Sequence, residues 1–138
     1  MKLITTSFLS LVLLTFSLSA HADPVKRSDQ TIRSDKATKT CRLLSGGAME
    51  WDSLPWGEGG KTFKTTCKSC HTRKNENATF LWAGAKTQKA WNRVFETRYP
   101  KCAQDGSWNS IGDEQLRKVH DYLWRWASDN IEHLYRGG

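Results

Sequence analysis

Five residues near the middle of the chain, Cys67-Lys68-Ser69-Cys70-His71, set two thiols and an imidazole at a short fixed spacing. Two thiols three residues apart share one side of a helical turn, so both can reach the vinyl groups of one porphyrin. The bonds they form are thioethers, which thiol exchange does not reverse. The following His71 then lies where it can supply the iron with a nitrogen. Cys-x-x-Cys-His is the attachment signal for c-type haem on these grounds.

Other chemistries use paired cysteines. A structural zinc site needs four ligands, usually as two pairs, and no second Cys-x-x-Cys or His-x-x-x-His pair is present. A redox dithiol would be expected in a βαβ setting, and no such pattern surrounds Cys67 and Cys70. The start of the chain also favours haem. Met1-Lys2 is followed by an apolar run from Leu3 to Leu18 and by Ala20-His21-Ala22, a small-x-small cleavage site. This reads as a secretory signal peptide over residues 1–22 rather than a membrane anchor. Covalent haem of this type is attached outside the bacterial cytoplasm, so the expected location is the periplasm.

Cleavage after Ala22 would leave 116 residues, the 138 of the chain less the 22 of the leader, enough for one small domain. The leader removes Lys2 alone, leaving 20 Lys and Arg against 14 Asp and Glu. Export argues against nucleic acid as the partner of this basic surface. The expected partner is a periplasmic redox protein with an acidic docking face, drawn in by complementary charge. A basic surface that is merely solvated is the plain alternative.

Around the motif the chain resembles the class I cytochromes c. Gly57-Glu58-Gly59-Gly60-Lys61-Thr62-Phe63 is similar to their N-terminal helix, with a glycine before an aromatic and the helix running into Cys-x-x-Cys-His. Val119-His120-Asp121-Tyr122-Leu123 is similar to their C-terminal helix, whose aromatic-Leu pair packs on the first helix and the haem. The resemblance extends from about Gly57 to Ala127. It implies a small all-α fold wrapped around one covalent haem c, with Cys67 and Cys70 as attachment points and His71 as proximal ligand.

The positioning elements follow from composition and period. Residues 23–40 are polar and aperiodic and read as a flexible N-terminal arm before a cytochrome domain at 41–138. Thr87 is the expected N-cap of a helix carrying Ala90, Trp91, Val94 and Phe95 at three- and four-residue steps, stopped by Pro100. Ser110-Ile111-Gly112-Asp113 suggests a capping-box start for a last helix that runs to about Tyr135, with Leu116, Val119, Leu123, Ala127 and Ile131 inward.

Class I cytochromes c usually carry a distal Met before the last helix. Here that loop, Tyr99 to Asn109, has none. Haem uses two of the four cysteines, and an even remainder in an exported chain favours a Cys41–Cys102 disulfide, worth about 4 kcal/mol by loop closure. Otherwise the two are free thiols, or Cys102 lies near the iron. With the disulfide formed, Met49 is a candidate distal ligand, since eight residues from Cys41 span about 25 Å. An open site, or one held weakly by Lys101, Gln104 or Asn109, is the second option. Ligation by His120 or His133 is the third, against a satisfied core role for His120. The expected function is single-electron transfer between redox partners, with no catalytic residues. The alternatives are a haem-based binder of small gases with an open sixth site, or the cytochrome subunit of a larger oxidoreductase.

Overall fold

The computed structural model of the chain describes residues 31–47 and 49–130. The leader, its cleavage site, His133 and the expected helical stretch beyond residue 130 lie outside the described residues. A two-stranded antiparallel sheet comes first, β1 (Ile32–Asp35) with β2 (Thr40–Leu43). The helices follow: α1 (Glu58–Thr65), α2 (Gln88–Thr97), the single turn α3 (Lys101–Gln104) and α4 (Asp113–Arg125).

The all-α expectation is therefore corrected: the fold adds a β-hairpin to its helices, and β1 lies inside the polar stretch 23–40 read as an arm. The reason is physical. A half-buried strand is usually recognised by apolar residues on its inner face. Here the pattern is inverted. Arg33 is 1 % and Asp35 4 % exposed, while Ile32, on the same strand, is 46 % exposed. The inner face of the hairpin is ionic.

Register places Arg33 directly opposite Arg42, with Ile32 opposite Leu43. Two like charges facing one another on a buried face would repel. Asp121, fully buried on α4, resolves this. Arg33 Nε donates to its Oδ1 at 2.7 Å, and Arg42 Nε to its Oδ2 at 2.7 Å. Arg33 also reaches Asp35 at 3.0 Å, and Arg42 approaches Glu114 at 3.5 Å. Asp35 in turn accepts from the backbone N–H groups of Ala37 and Thr38, which shapes the turn between the strands. These donors hold the Asp35 carboxyl below the usual carboxylate range, against the opposing effect of burial.

The helical core forms where α1 crosses α4. A Cβ on Gly59 would lie 2.1 Å from the Lys118 carbonyl oxygen, so only glycine lets the two backbones approach this closely. Phe63 then meets Tyr122 with ring centroids 5.7 Å apart. Val119, Leu123 and Ala127 of the expected inner face are buried in the same cluster, together with Trp91 and Val94 of α2. α2 begins as expected, with Thr87 Oγ1 accepting from Ala90 N at 3.2 Å, and ends at Arg98 in a left-handed conformation.

The last helix departs from expectation at both ends. Its N-cap is Gly112 rather than Ser110, and the reciprocal contact is Gln115 Oε1 accepting from Gly112 N at 3.0 Å. It stops at Arg125, well short of Tyr135. There Arg125 Nη1 donates to the Leu44 carbonyl and to Ser53 Oγ at 2.9 Å, and Trp126 Nε1 donates to the Ser53 carbonyl at 3.0 Å. These contacts fasten the segment between β2 and α1 onto the end of α4. Among the described residues, no helix is long and apolar enough to cross a membrane.

Asp121→Asn would keep the shape and leave two buried arginines without their shared counter-charge. We expect a loss of about 3–5 kcal/mol in denaturant unfolding, with the hairpin amides losing hydrogen-exchange protection first. A loss below about 1 kcal/mol would show that the hairpin does not depend on the pair.

Candidate functional site

Cys67, Cys70 and His71 occupy one tight turn at the end of α1. After Thr65 the α-helix gives way to a 3-10 turn over Cys67–Ser69. The Cys67 carbonyl accepts from both Cys70 N at 3.3 Å and His71 N at 3.0 Å, which winds the three side chains around a single point of the backbone. Cys67 is half-buried and packs against the core, while Cys70 is exposed. Burial pushes the Cys67 thiol up to about 11, and the neighbouring Cys102 adds to the rise.

The loop after the motif folds back on the histidine. His71 Nδ1 lies 2.6 Å from the Thr79 carbonyl, and Leu81 N donates to the His71 carbonyl at 3.4 Å. A carbonyl only accepts, so Nδ1 is the donor, and in the neutral ring the lone pair is on Nε2. A bond of this kind is what orients a metal-binding imidazole and sets its tautomer. Asn75 Nδ2 reinforces the loop by donating to the Cys70 carbonyl at 2.8 Å. A carbonyl acceptor immediately before the Phe80–Trp82 pair is a signal that only the folded loop reveals.

Phe80 and Trp82 stand beside the turn, their rings stacked 5.3 Å apart. Lys68 Nζ lies 4.2 Å and the Arg73 guanidinium 4.7 Å from the Phe80 ring centre. With Lys64 and Lys74 exposed nearby in sequence, cations frame the motif. The donor set suits covalent haem: two thiols at attachment spacing and one imidazole nitrogen presented by its own hydrogen bond. Among the described residues, no three or more His, Cys, Asp or Glu side chains converge as a metal cluster.

The remaining candidates separate. The Cys41–Cys102 disulfide is not formed, since all four cysteines are free. Cys41 is exposed on β2 opposite Ser34, whereas Cys102 is half-buried on α3. That removes the clip on which the reach of Met49 depended. Met49 instead belongs to the segment tied to α4, its carbonyl accepting from Ser53 N at 3.2 Å. Gln104 spends its amide on the Tyr99 carbonyl at 3.1 Å. Lys101 and Asn109 are exposed.

His120 is a core histidine. Its Nε2 lies 2.9 Å from Asn92 Oδ1, and its ring stacks on Phe95 at 4.3 Å. Burial, helped by the charges of Arg33 and Arg42 and opposed by Asp35, pushes it down to about 3. It borders a cavity of about 420 Å³ between the hairpin, α2 and α4, which contains none of the motif's side chains. The charges at its rim are mutually paired, Lys36 with Glu96 at 2.8 Å and Arg98 with Asp113 at 3.8 Å.

A buried neutral histidine has a defined acid signature. Above the ordinary histidine value near 6.5 it binds no proton in either state. Below it, the unfolded chain takes up a proton that the fold refuses until about pH 3. Stability should therefore fall between about pH 6.5 and 3, by at most about 1.4 kcal/mol per pH unit. His120→Gln should flatten this slope in urea titrations across that window, and an unchanged slope would show that His120 is charged in the fold.

No protein-family model matches the chain, no curated protein matches it, and no solved structure matches it.

Proposed function

We propose that the chain is an exported monohaem c-type cytochrome that passes single electrons between redox partners. The observation that carries this reading is the Cys67-Cys70-His71 turn with its imidazole braced by the Thr79 carbonyl. Cys67 and Cys70 would hold the porphyrin through thioethers, and His71 would ligate iron through Nε2. Bound haem supplies a one-electron couple at iron.

The chain's own residues do the rest. Thr79 fixes the imidazole plane through Nδ1, which limits reorganisation at the ligand. The close α1–α4 crossing at Gly59 and the Phe63–Tyr122 contact support the turn from beneath, and the same pairing underlies the resemblance to class I cytochromes c. Lys64, Arg73 and Lys74 offer a cationic rim to an acidic partner. Phe80 and Trp82, with Trp82 48 % exposed, put aromatic surface beside the motif where a partner would dock.

Expression alongside a c-type maturation system should yield a chain that keeps one haem after denaturation. Cys67→Ala with Cys70→Ala should abolish the retained haem. The haem protein should titrate reversibly as a one-electron couple, and its electron exchange with an acidic redox protein should slow as ionic strength rises. A matured chain without covalent haem would overturn the proposal. Covalent haem with electron exchange indifferent to salt would remove the docking argument alone.

A further inference from the structure

We propose that the cavity between the hairpin turn, α2 and α4 binds a small neutral molecule that joins an aromatic ring to a hydrogen-bond donor, a phenolic hydroxyl or a ring N–H, with His120 Nδ1 as the acceptor. The site holds none of the side chains of the Cys67–His71 turn, and the inference does not depend on haem.

His120 supplies the acceptor. It is 5 % exposed, and its ring lies nearly flat against Phe95, with 4.3 Å between ring centres. Asn92 Oδ1, 2.9 Å from Nε2, is a carboxamide oxygen and only accepts. Nε2 therefore donates, and the lone pair of the neutral ring is on Nδ1. Burial keeps the ring neutral. Among the described residues, Nδ1 has no hydrogen-bond partner, yet no side-chain nitrogen sealed from solvent lacks one. Nδ1 thus opens on free space, and the space that His120 lines is the cavity of about 420 Å³. A mostly buried acceptor without a donor carries a desolvation cost, which a donor on a ligand removes.

The walls select against charge. Each cation that lines the cavity already has a carboxylate. Arg33 has Asp121 at 2.7 Å and Asp35 at 3.0 Å, and Lys36 has Glu96 at 2.8 Å. Arg98 has Asp113 at 3.8 Å, and Arg117 has Glu114 at 2.8 Å. A charged ligand would leave water for a site whose counter-charges are engaged, at a cost that no new pairing offsets.

A neutral ring meets no such cost. Phe95, Leu116 and Ala37 give it apolar wall, and Trp108 backs Phe95 at 5.4 Å. The volume is that of a small-molecule site, and an apolar wall with a well-placed acceptor is how such sites orient a ligand. Entry is unobstructed by the buried pairs, because the groups at the rim, Lys36, Arg98 and Asp113, are exposed.

The test titrates the full chain, purified from a strain competent in c-type maturation, with phenol, with its methyl ether anisole and with benzoate. Phenol should bind about tenfold more tightly than anisole, which keeps the ring and lacks the donor. Benzoate should bind more weakly than phenol. Phenol should also shift the His120 Nδ1 resonance in nitrogen NMR and leave any haem absorption unchanged, which places it away from iron. His120→Phe keeps a ring against Phe95 and removes the acceptor, so phenol and anisole should become equal. Ala37→Trp, at an exposed position on the cavity wall, should fill the mouth and abolish binding of both. If His120→Phe does not fold, the His120 resonance and Ala37→Trp decide. No saturable binding of phenol, equal wild-type affinities for phenol and anisole, a His120 resonance that phenol leaves in place, or binding that survives Ala37→Trp would each overturn the proposal. A chain that carries no haem gives the same readout, so failure of the haem reading and failure of this one are told apart.

Discussion

The buried carboxylate of Asp121, shared between Arg33 and Arg42, is the interaction on which the rest of the structure depends. It joins parts of the chain some eighty positions apart and is the reason a polar hairpin can lie on α4 at all. Two facing arginines cost desolvation that only a well-placed anion offsets, and geometry of this quality leaves little freedom in how the hairpin docks. Burial of the pair does not by itself imply high stability. Its contribution is orientation, since an apolar face of similar shape would slide where the paired guanidinium groups do not.

α4 is held from three directions. The hairpin grips its middle through Asp121, α1 crosses it at Gly59, and the segment after β2 is tied to its end through Arg125 and Trp126. α1 runs straight from that crossing into the Cys67 turn, so the position of the motif is inherited from α4. Lys118 reinforces the crossing, with Asp52 at 3.1 Å and Glu58 both at its amine, which raises the lysine's pKa. The chemistry-bearing residues themselves need few long-range contacts, because the helix beneath them is already fixed.

Two loops beside the core are braced by local means. Residues 72–81 return a carbonyl to His71 and close over it with a backbone bond. Residues 99–110 carry Cys102 on a self-braced turn and anchor it with Trp108. Both are polar and rich in short turns, so each reads as a connection in sequence, yet the first places the Thr79 carbonyl at His71.

The sequence by itself determined the spacing of this protein's Cys-x-x-Cys-His motif and the helices around it. Cys67, Cys70 and His71 are legible because their spacing is local, and one helical turn brings them together whatever the remainder does. Thr87 as a cap, the inward positions of α4 and the satisfied role of His120 are legible for the same reason, since period and capping act within a few residues. The hairpin was not legible, because its inner face is made of Arg33, Asp35 and Arg42, whose burial is tolerable only with Asp121 beside them. The separation of Cys41 from Cys102 was equally hidden, since cysteine counting treats all thiols in an oxidising compartment alike. Where Met49 is tethered and where α4 ends were decided by tertiary structure, because each depends on partners that meet only when distant segments pack.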